Sequence, residues 1–345
     1  MKTIYSLLLA AVFLPLVLTA QIRELSFYEV RPRTKPIVID GKIDKDEWKG
    51  VPVHDSYYEY WKGNPGPGAL KTELRLAYDQ TGLYMAVANY DDHIPKLKRT
   101  ITESDNPNLW TDDCGEFYFD PAADGIGYTK FIINANGAKY DMRRQDAAVY
   151  LHDWSGTFWK AAVSIGKDAW YAEAFFPWDD LNGIGKPGSL WQFCHARFSW
   201  TKGFRGMVNS PGGNYNNTNS FGFIYFSDGK TVLDPMKVGR ILAGKASAPW
   251  CVPCGQLLVS YNGTRIKTDD LADLLKQEKE KCRYLFMELE ALQPSGGMAG
   301  TIGKIRKGLT GAEKKNGMTA YKIYCAAAEQ LFLLKWNLLL KRNFN

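Results

Sequence analysis

The sequence predicts a mainly β protein: an antiparallel β-sandwich, immunoglobulin-like or jelly-roll-like, over residues 21–235, then a small helical hairpin within a basic region, 236–345. Three observations carry this. Short β-branched and aromatic runs recur between residues 36 and 228, separated by Gly, Asn, Asp and Pro, which is the punctuation of turns between strands. A helical period appears only after about 235. The charge changes sign at the same place: from 236 onward there are 18 Lys+Arg against 9 Asp+Glu, whereas residues 21–235 hold 24 against 28.

The elements follow in order. Lys2, an apolar run from Ile4 to Leu18 and Thr19-Ala20 before Gln21 read as an export signal spanning residues 1–20. The run is about 15 residues, short of the ~20 that cross a bilayer, so no membrane span is expected in the mature chain. PIVIDGKID holds an apolar run and an Asp-Gly turn. In LKTELRLAYD, Leu70, Thr72, Leu74 and Leu76 alternate with Lys71, Glu73 and Arg75, the period of a strand. LYMAVANYDD, CGEFYFDP, YTKFIINANG, WKAAVSI, AWYAEAFFPW, LWQFCHARFSW and SFGFIYFSD continue the series, with PWDDL a helical turn and GNPGPG (63–68) a surface loop. Beyond 235, TDDLADLLKQEKEKCRYLFMELEALQ (268–293) places its apolar residues on one helical face, with Thr268 as N-cap. Residues 319–342 form the second helix, and Lys322, Glu329, Lys335 and Asn337 argue against its spanning a membrane. The basic segment between them reads as a flexible loop.

IDGKIDKDEWKGV, LRLAYDQTGLYMAVANYDD, LWTDDCGEFYFDP, FIINANGAKYD, WYAEAFFPWDDL and FGFIYF, in this order from about 36 to 228, resemble carbohydrate-binding module family 9 and its relatives among the DOMON-like β-sandwiches. The resemblance implies that a sugar at a chain end is held between two aromatic side chains. One falls on Trp110, just before the acidic strand. The other falls on Tyr215, in the loop before the last strand, where the family has Trp. The family's carboxylate falls on Glu116, and its basic contact falls near Ile132, which cannot hydrogen-bond. The resemblance also implies association with glycoside hydrolase systems and, in some relatives, calcium.

The residues read alone point the same way. A pyranose has apolar C–H faces and polar edges, so its site needs aromatic platforms and a few fixed polar groups. Strand parity puts Phe117 and Phe119 on one face against Cys114, Glu116 and Tyr118; Phe131 and Ile133 against Lys130, Ile132 and Asn134; and Cys194, Ala196 and Phe198 against Phe193, His195, Arg197 and Ser199. Pairing the apolar sets as core leaves Glu116, Asn134, His195 and Arg197 as a polar floor, with Trp110 and Tyr215 as walls. On the same phases Cys114 and Cys194 fall on opposite faces and do not pair. Cys251 and Cys254, in WCVPC, are a candidate local disulfide. Asp40, Asp44 and Asp46, and Asp112, Asp113 and Asp120, are candidate calcium ligands without a calcium-loop spacing.

No pair of the four histidines has metal-ligand spacing, and no GxSxG, phosphate loop or dinucleotide fingerprint occurs. The expectation is an exported, non-catalytic protein that binds a polysaccharide or oligosaccharide. No nucleic-acid partner is expected, and the basic helical region is available to a protein or envelope partner. The rivals are a scaffold whose sandwich no longer binds sugar, and a hydrolase, which would need two facing carboxylates such as Glu116 with Glu173 or Asp113.

Overall fold

The computed structural model describes residues 22–60, 69–294, 296–313, 315 and 317–344, so the expected signal and the GNPGPG loop lie outside the described residues. The chain forms two compact units, divided between Leu233 and Asp234.

The strands of the first unit are β1 (Arg23–Glu24), β2 (Phe27–Pro32), β3 (Tyr58–Glu59), β4 (Thr72–Tyr78), β5 (Gly82–Tyr90), β6 (Cys114–Asp120), β7 (Tyr128–Asn134), β8 (Lys139–Arg144), β9 (Tyr150–Leu151), β10 (Lys160–Ile165), β11 (Ala169–Pro177), β12 (Leu190–Ser199), β13 (Arg205–Val208) and β14 (Gly222–Phe226). The expected turn in PWDDL is α1 (Trp178–Leu181). One layer runs β10-β11-β5-β4-β2 and the other β2-β14-β12-β6-β7-β8-β9, with β3 and β13 attached through β12. β2 belongs to both: Phe27–Val30 pair with β14 and Arg31–Pro32 with β4, which joins the layers into one curled sheet. Both of these pairings are parallel, the departure from an otherwise antiparallel fold.

The core between the layers takes Leu74, Leu76, Met85, Val87, Trp170 and Phe176 from the first and Phe117, Phe119, Phe131, Ile133 and Phe193 from the second. Each set alternates along its strand, as period-two burial requires. LYMAVANY reads as a continuous apolar run because β5 is buried on both faces: Tyr84 and Ala86 pack under Trp48 and Val51. There Glu173 is buried and accepts from the Trp48 indole at 2.8 Å and the Gly41 N–H at 3.0 Å. The second layer also carries an apolar cluster on its outward face: Leu109, Cys114, Tyr118, Ile132, Tyr140, Met142, Cys194, Ala196 and Phe198.

That outward cluster corrects the phase expected for β12. Cys194, Ala196 and Phe198 point outward, beside Tyr118, Glu116 and Cys114 in register, so Phe193, His195, Arg197 and Ser199 point into the sandwich. Cys114 and Cys194 therefore share a face. They are not bonded because Cys114 lies opposite Phe198 and Cys194 opposite Tyr118.

The second unit begins with α2 (Pro235–Ala243), whose N-cap Asp234 accepts from Lys237 N–H at 2.8 Å. An antiparallel meander follows: β15 (Trp250–Cys254), β16 (Leu257–Tyr261) and β17 (Ile266–Asp270). The expected Cys251–Cys254 link is absent, and both are thiols. β15 is extended, so residues three apart are separated by about 10 Å, beyond the ~4.5 Å that a disulfide tolerates between Cβ atoms.

Three helices complete the unit, not two: α3 (Leu271–Ala291), α4 (Gly296–Ala312) and α5 (Gly317–Phe344). Thr268 lies in β17, and the α3 cap is Asp270, accepting from the N–H groups of Ala272 and Asp273. The segment expected to be a loop is α4. Its Ile302, Leu309 and Ala312 meet Leu285 and Leu289 of α3 and Ala328 and Leu331 of α5. Gly297, Gly300, Gly303, Gly308 and Gly311 of α4 face open space. Among the described residues no helix is long and apolar enough to cross a membrane.

Candidate functional site

A 3-10 turn, Leu109–Thr111, leads into β6. Leu109 is buried in the outward cluster, which fixes the turn, and Trp110 beside it is 45% exposed. The acidic pair after Trp110 holds the surrounding loops. Asp112 accepts from Thr100 Oγ1 at 2.8 Å, Ile101 N–H at 2.9 Å and Asn134 Nδ2 at 3.0 Å. Asp113 accepts from the N–H groups of Lys98 at 2.6 Å and Trp200 at 3.1 Å. Two buried carboxylates lash three segments to the head of β6, and the indole is left outside.

Tyr215 lies on the same face. Its ring centroid is 4.6 Å from that of Tyr60, 5.3 Å from Phe198 and 6.1 Å from Tyr118. It is half-buried, laid over the aromatic floor rather than standing free as a wall. Asn216 in the same loop donates to the Tyr60 hydroxyl at 3.2 Å.

Glu116 is at the centre of this face but buried. It accepts from the Tyr118 hydroxyl and pairs with Lys130 Nζ at 3.0 Å. Lys130 Nζ also stands 5.3 Å over the Tyr118 ring. Burial and the neighbouring carboxylate hold the Tyr118 hydroxyl well above its usual range, so it stays a donor to Glu116. The polar group this face offers outward is therefore the partly exposed Lys130 ammonium, with Glu116 orienting it. Sequence reasoning missed Lys130 as a site residue. The signal was present in its parity with Ile132, two residues along β7.

The other expected residues have different work. Asn134 shares the outward parity but is consumed locally, donating to Ile101 O at 2.8 Å and accepting from Ala138 N–H at 2.9 Å. His195 is inside the sandwich, stacked on Phe117 at 4.4 Å, with Nδ1 2.6 Å from the Tyr57 hydroxyl. Gly115 makes room for it: a Cβ there would meet Phe117 at 2.9 Å and His195 Nε2 at 3.1 Å. Burial lowers the His195 pKa to about 3, so the imidazole is neutral. Arg197 is wholly buried and ties the two layers together, donating to Lys71 O at 2.9 Å, Thr72 Oγ1 at 2.9 Å and Tyr90 O at 2.7 Å, with Asp91 3.6 Å away. Neither His195 nor Arg197 reaches the outward face.

Glu173, held by Trp48, lies on the outward face of the opposite layer from Glu116, and Asp113 is spent on backbone N–H groups. No two of these three carboxylates face each other as a glycosidase pair must. The candidate calcium ligands do not fit a cation site. Asp40 and Asp44 accept backbone N–H groups within their own turns, and Asp120 accepts those of Ala123 and Gly125. Among the described residues no three His, Cys, Asp or Glu side chains gather around one point.

Fold and site together define a β-sandwich module with an aromatic outward face on one layer. The chain belongs to the carbohydrate family 9 binding domain-like family, whose profile matches residues 39–228. Three solved structures are similar. A candidate carbohydrate-binding protein from Bacteroides uniformis ATCC 8492 is 14% identical, with a TM-score of 0.49, covering 59% of this chain and 100% of its own. A family 9 carbohydrate-binding module from Caldicellulosiruptor kristjanssonii in complex with cellotriose is 17% identical, TM-score 0.43, covering 61% and 99%. Its glucose complex has the same identity and TM-score and covers 60% and 100%. No curated protein matches the chain.

Proposed function

We propose that this protein binds carbohydrate without cleaving it, on the outward face of the second layer, as an exported accessory to polysaccharide breakdown. The observation that carries the reading is Trp110: an indole rooted by buried Leu109, half exposed, on the face that holds Tyr215 and the Glu116–Lys130 pair. An aromatic ring covers the apolar face of a pyranose, and a fixed ammonium meets its hydroxyl edge. Family membership supports the ligand class, and the structure of a family 9 module holding cellotriose is consistent with it. Affinity electrophoresis of residues 21–345 through gels cast with cellulose derivatives, xylan and mannan tests the reading. Retardation by at least one polysaccharide is expected, and free migration through all of them contradicts it.

A second reading concerns the helical unit alone. Phe332, Leu333, Trp336 and Leu340 are exposed on α5, beside Lys341 and Arg342, a surface suited to a protein or envelope partner.

A further inference from the structure

The outward face does not end at the Glu116–Lys130 pair. Planar side chains continue across it in an unbroken row. Tyr215 lies 6.1 Å from Tyr118, and Tyr118 lies 5.2 Å from Tyr128. The Arg144 guanidinium sits 5.6 Å from the Tyr128 ring and 5.6 Å from the Tyr150 ring, and Tyr150 lies 6.1 Å from His152. Register explains the row: Tyr118 stands opposite Lys130, Tyr128 opposite Arg144, and Arg144 opposite Tyr150, so one parity of β6, β7, β8 and β9 shares the face.

The far end of the row is exposed and built. Tyr150 is 46% exposed and His152 is exposed, their rings within 13° of parallel. The Arg144 guanidinium packs over the Tyr150 ring and is itself fixed by donating to Asp146 O at 2.9 Å. His152 Nδ1 is 3.2 Å from the Tyr140 hydroxyl. An exposed aromatic pair held by Arg144 and Tyr140 is pre-organised for a flat apolar ligand face, because little side-chain entropy remains to be lost on binding.

We propose that Tyr150 and His152 form a second saccharide platform, so that this face takes a run of sugar units rather than a single chain end. The proposal rests on the carbohydrate-binding reading above. β6 and β9 are three strand spacings apart, about 14 Å, farther than one disaccharide reaches. A ligand touching both ends is therefore a longer oligosaccharide lying across the strands.

Calorimetry with cellobiose, cellotetraose and cellohexaose, and with the xylan and mannan oligomers of the same lengths, tests it. In the series that binds, affinity is expected to rise roughly tenfold from dimer to tetramer, the gain of one added stacking platform. Tyr150→Ala combined with His152→Ala is expected to abolish that gain and leave dimer affinity unchanged. Unchanged dimer affinity also shows that the variant is folded. Tyr150→Phe, which keeps the ring, is expected to retain the gain. A wild type with no length dependence, or a double variant that keeps it, overturns the platform while leaving the Trp110 site intact. If no oligomer of any series binds, the underlying reading falls, and the platform with it.

Discussion

Trp110 faces outward because every neighbour is committed elsewhere. Leu109 is packed beneath it, and Asp112 and Asp113 have spent their oxygens on backbone and side-chain donors. The same logic, read in reverse, moved two residues out of the site. His195 and Arg197 are polar, and local parity alone cannot say which face of β12 is inside. The acceptors that satisfy Arg197 come from residues 71, 72 and 90, more than 100 positions away. Gly115, beside the Phe117 ring, was the local hint that something bulky enters the core there. Arg197→Met is expected to destabilise the sandwich by about 1–3 kcal/mol, since it removes the donor to the partly buried Tyr90 carbonyl and one of the two arginines beside Asp91, which keeps Arg205, while protein that remains folded keeps its saccharide affinity. Denaturant titration and calorimetry together check this, and a loss of affinity in folded protein would return Arg197 to the site. His195 adds a pH signature. Its folded pKa of about 3 lies below the ordinary 6.5, so between these values the unfolded chain binds more protons, and the stability owed to neutral His195 is lost as pH falls. His54, lowered by burial to about 4, acts in the same direction. The slope of melting temperature against pH below 6.5 is expected to weaken in His195→Gln relative to wild type, and an unchanged slope contradicts a buried neutral imidazole.

At the scale of elements, alternation in β4, β6 and β7 was legible because one face of each strand carries large apolar side chains into the core. The number of helices was not. α4 has six glycines in seventeen residues, and glycine is a poor helix former. Its helix is held by tertiary contacts of Ile302, Leu309 and Ala312, with the glycines on the open side. Hydrogen exchange distinguishes the two readings. Slow exchange of the amides of residues 300–312 is expected for a packed helix, and exchange as fast as in an unstructured peptide would restore the loop. Leu289→Ala, in the middle of that small core, is expected to cost about 2–5 kcal/mol and to release this protection first.

At the scale of the whole molecule, the change of charge sign near 235 and the division of the contacts between Leu233 and Asp234 coincide. The order of strand motifs carried the family, but not which polar residues a ligand could touch. That depends on which face of the second layer is outward and on Lys130 taking the place beside Ile132 through its pair with Glu116. The whole functional account rests on Trp110 as the first stacking surface. The most direct test is calorimetric titration, with a retarding polysaccharide's oligomer, of the wild type and of Trp110→Ala with matched melting temperatures. A loss of at least roughly tenfold in affinity is expected for the variant, and equal affinities would contradict the account.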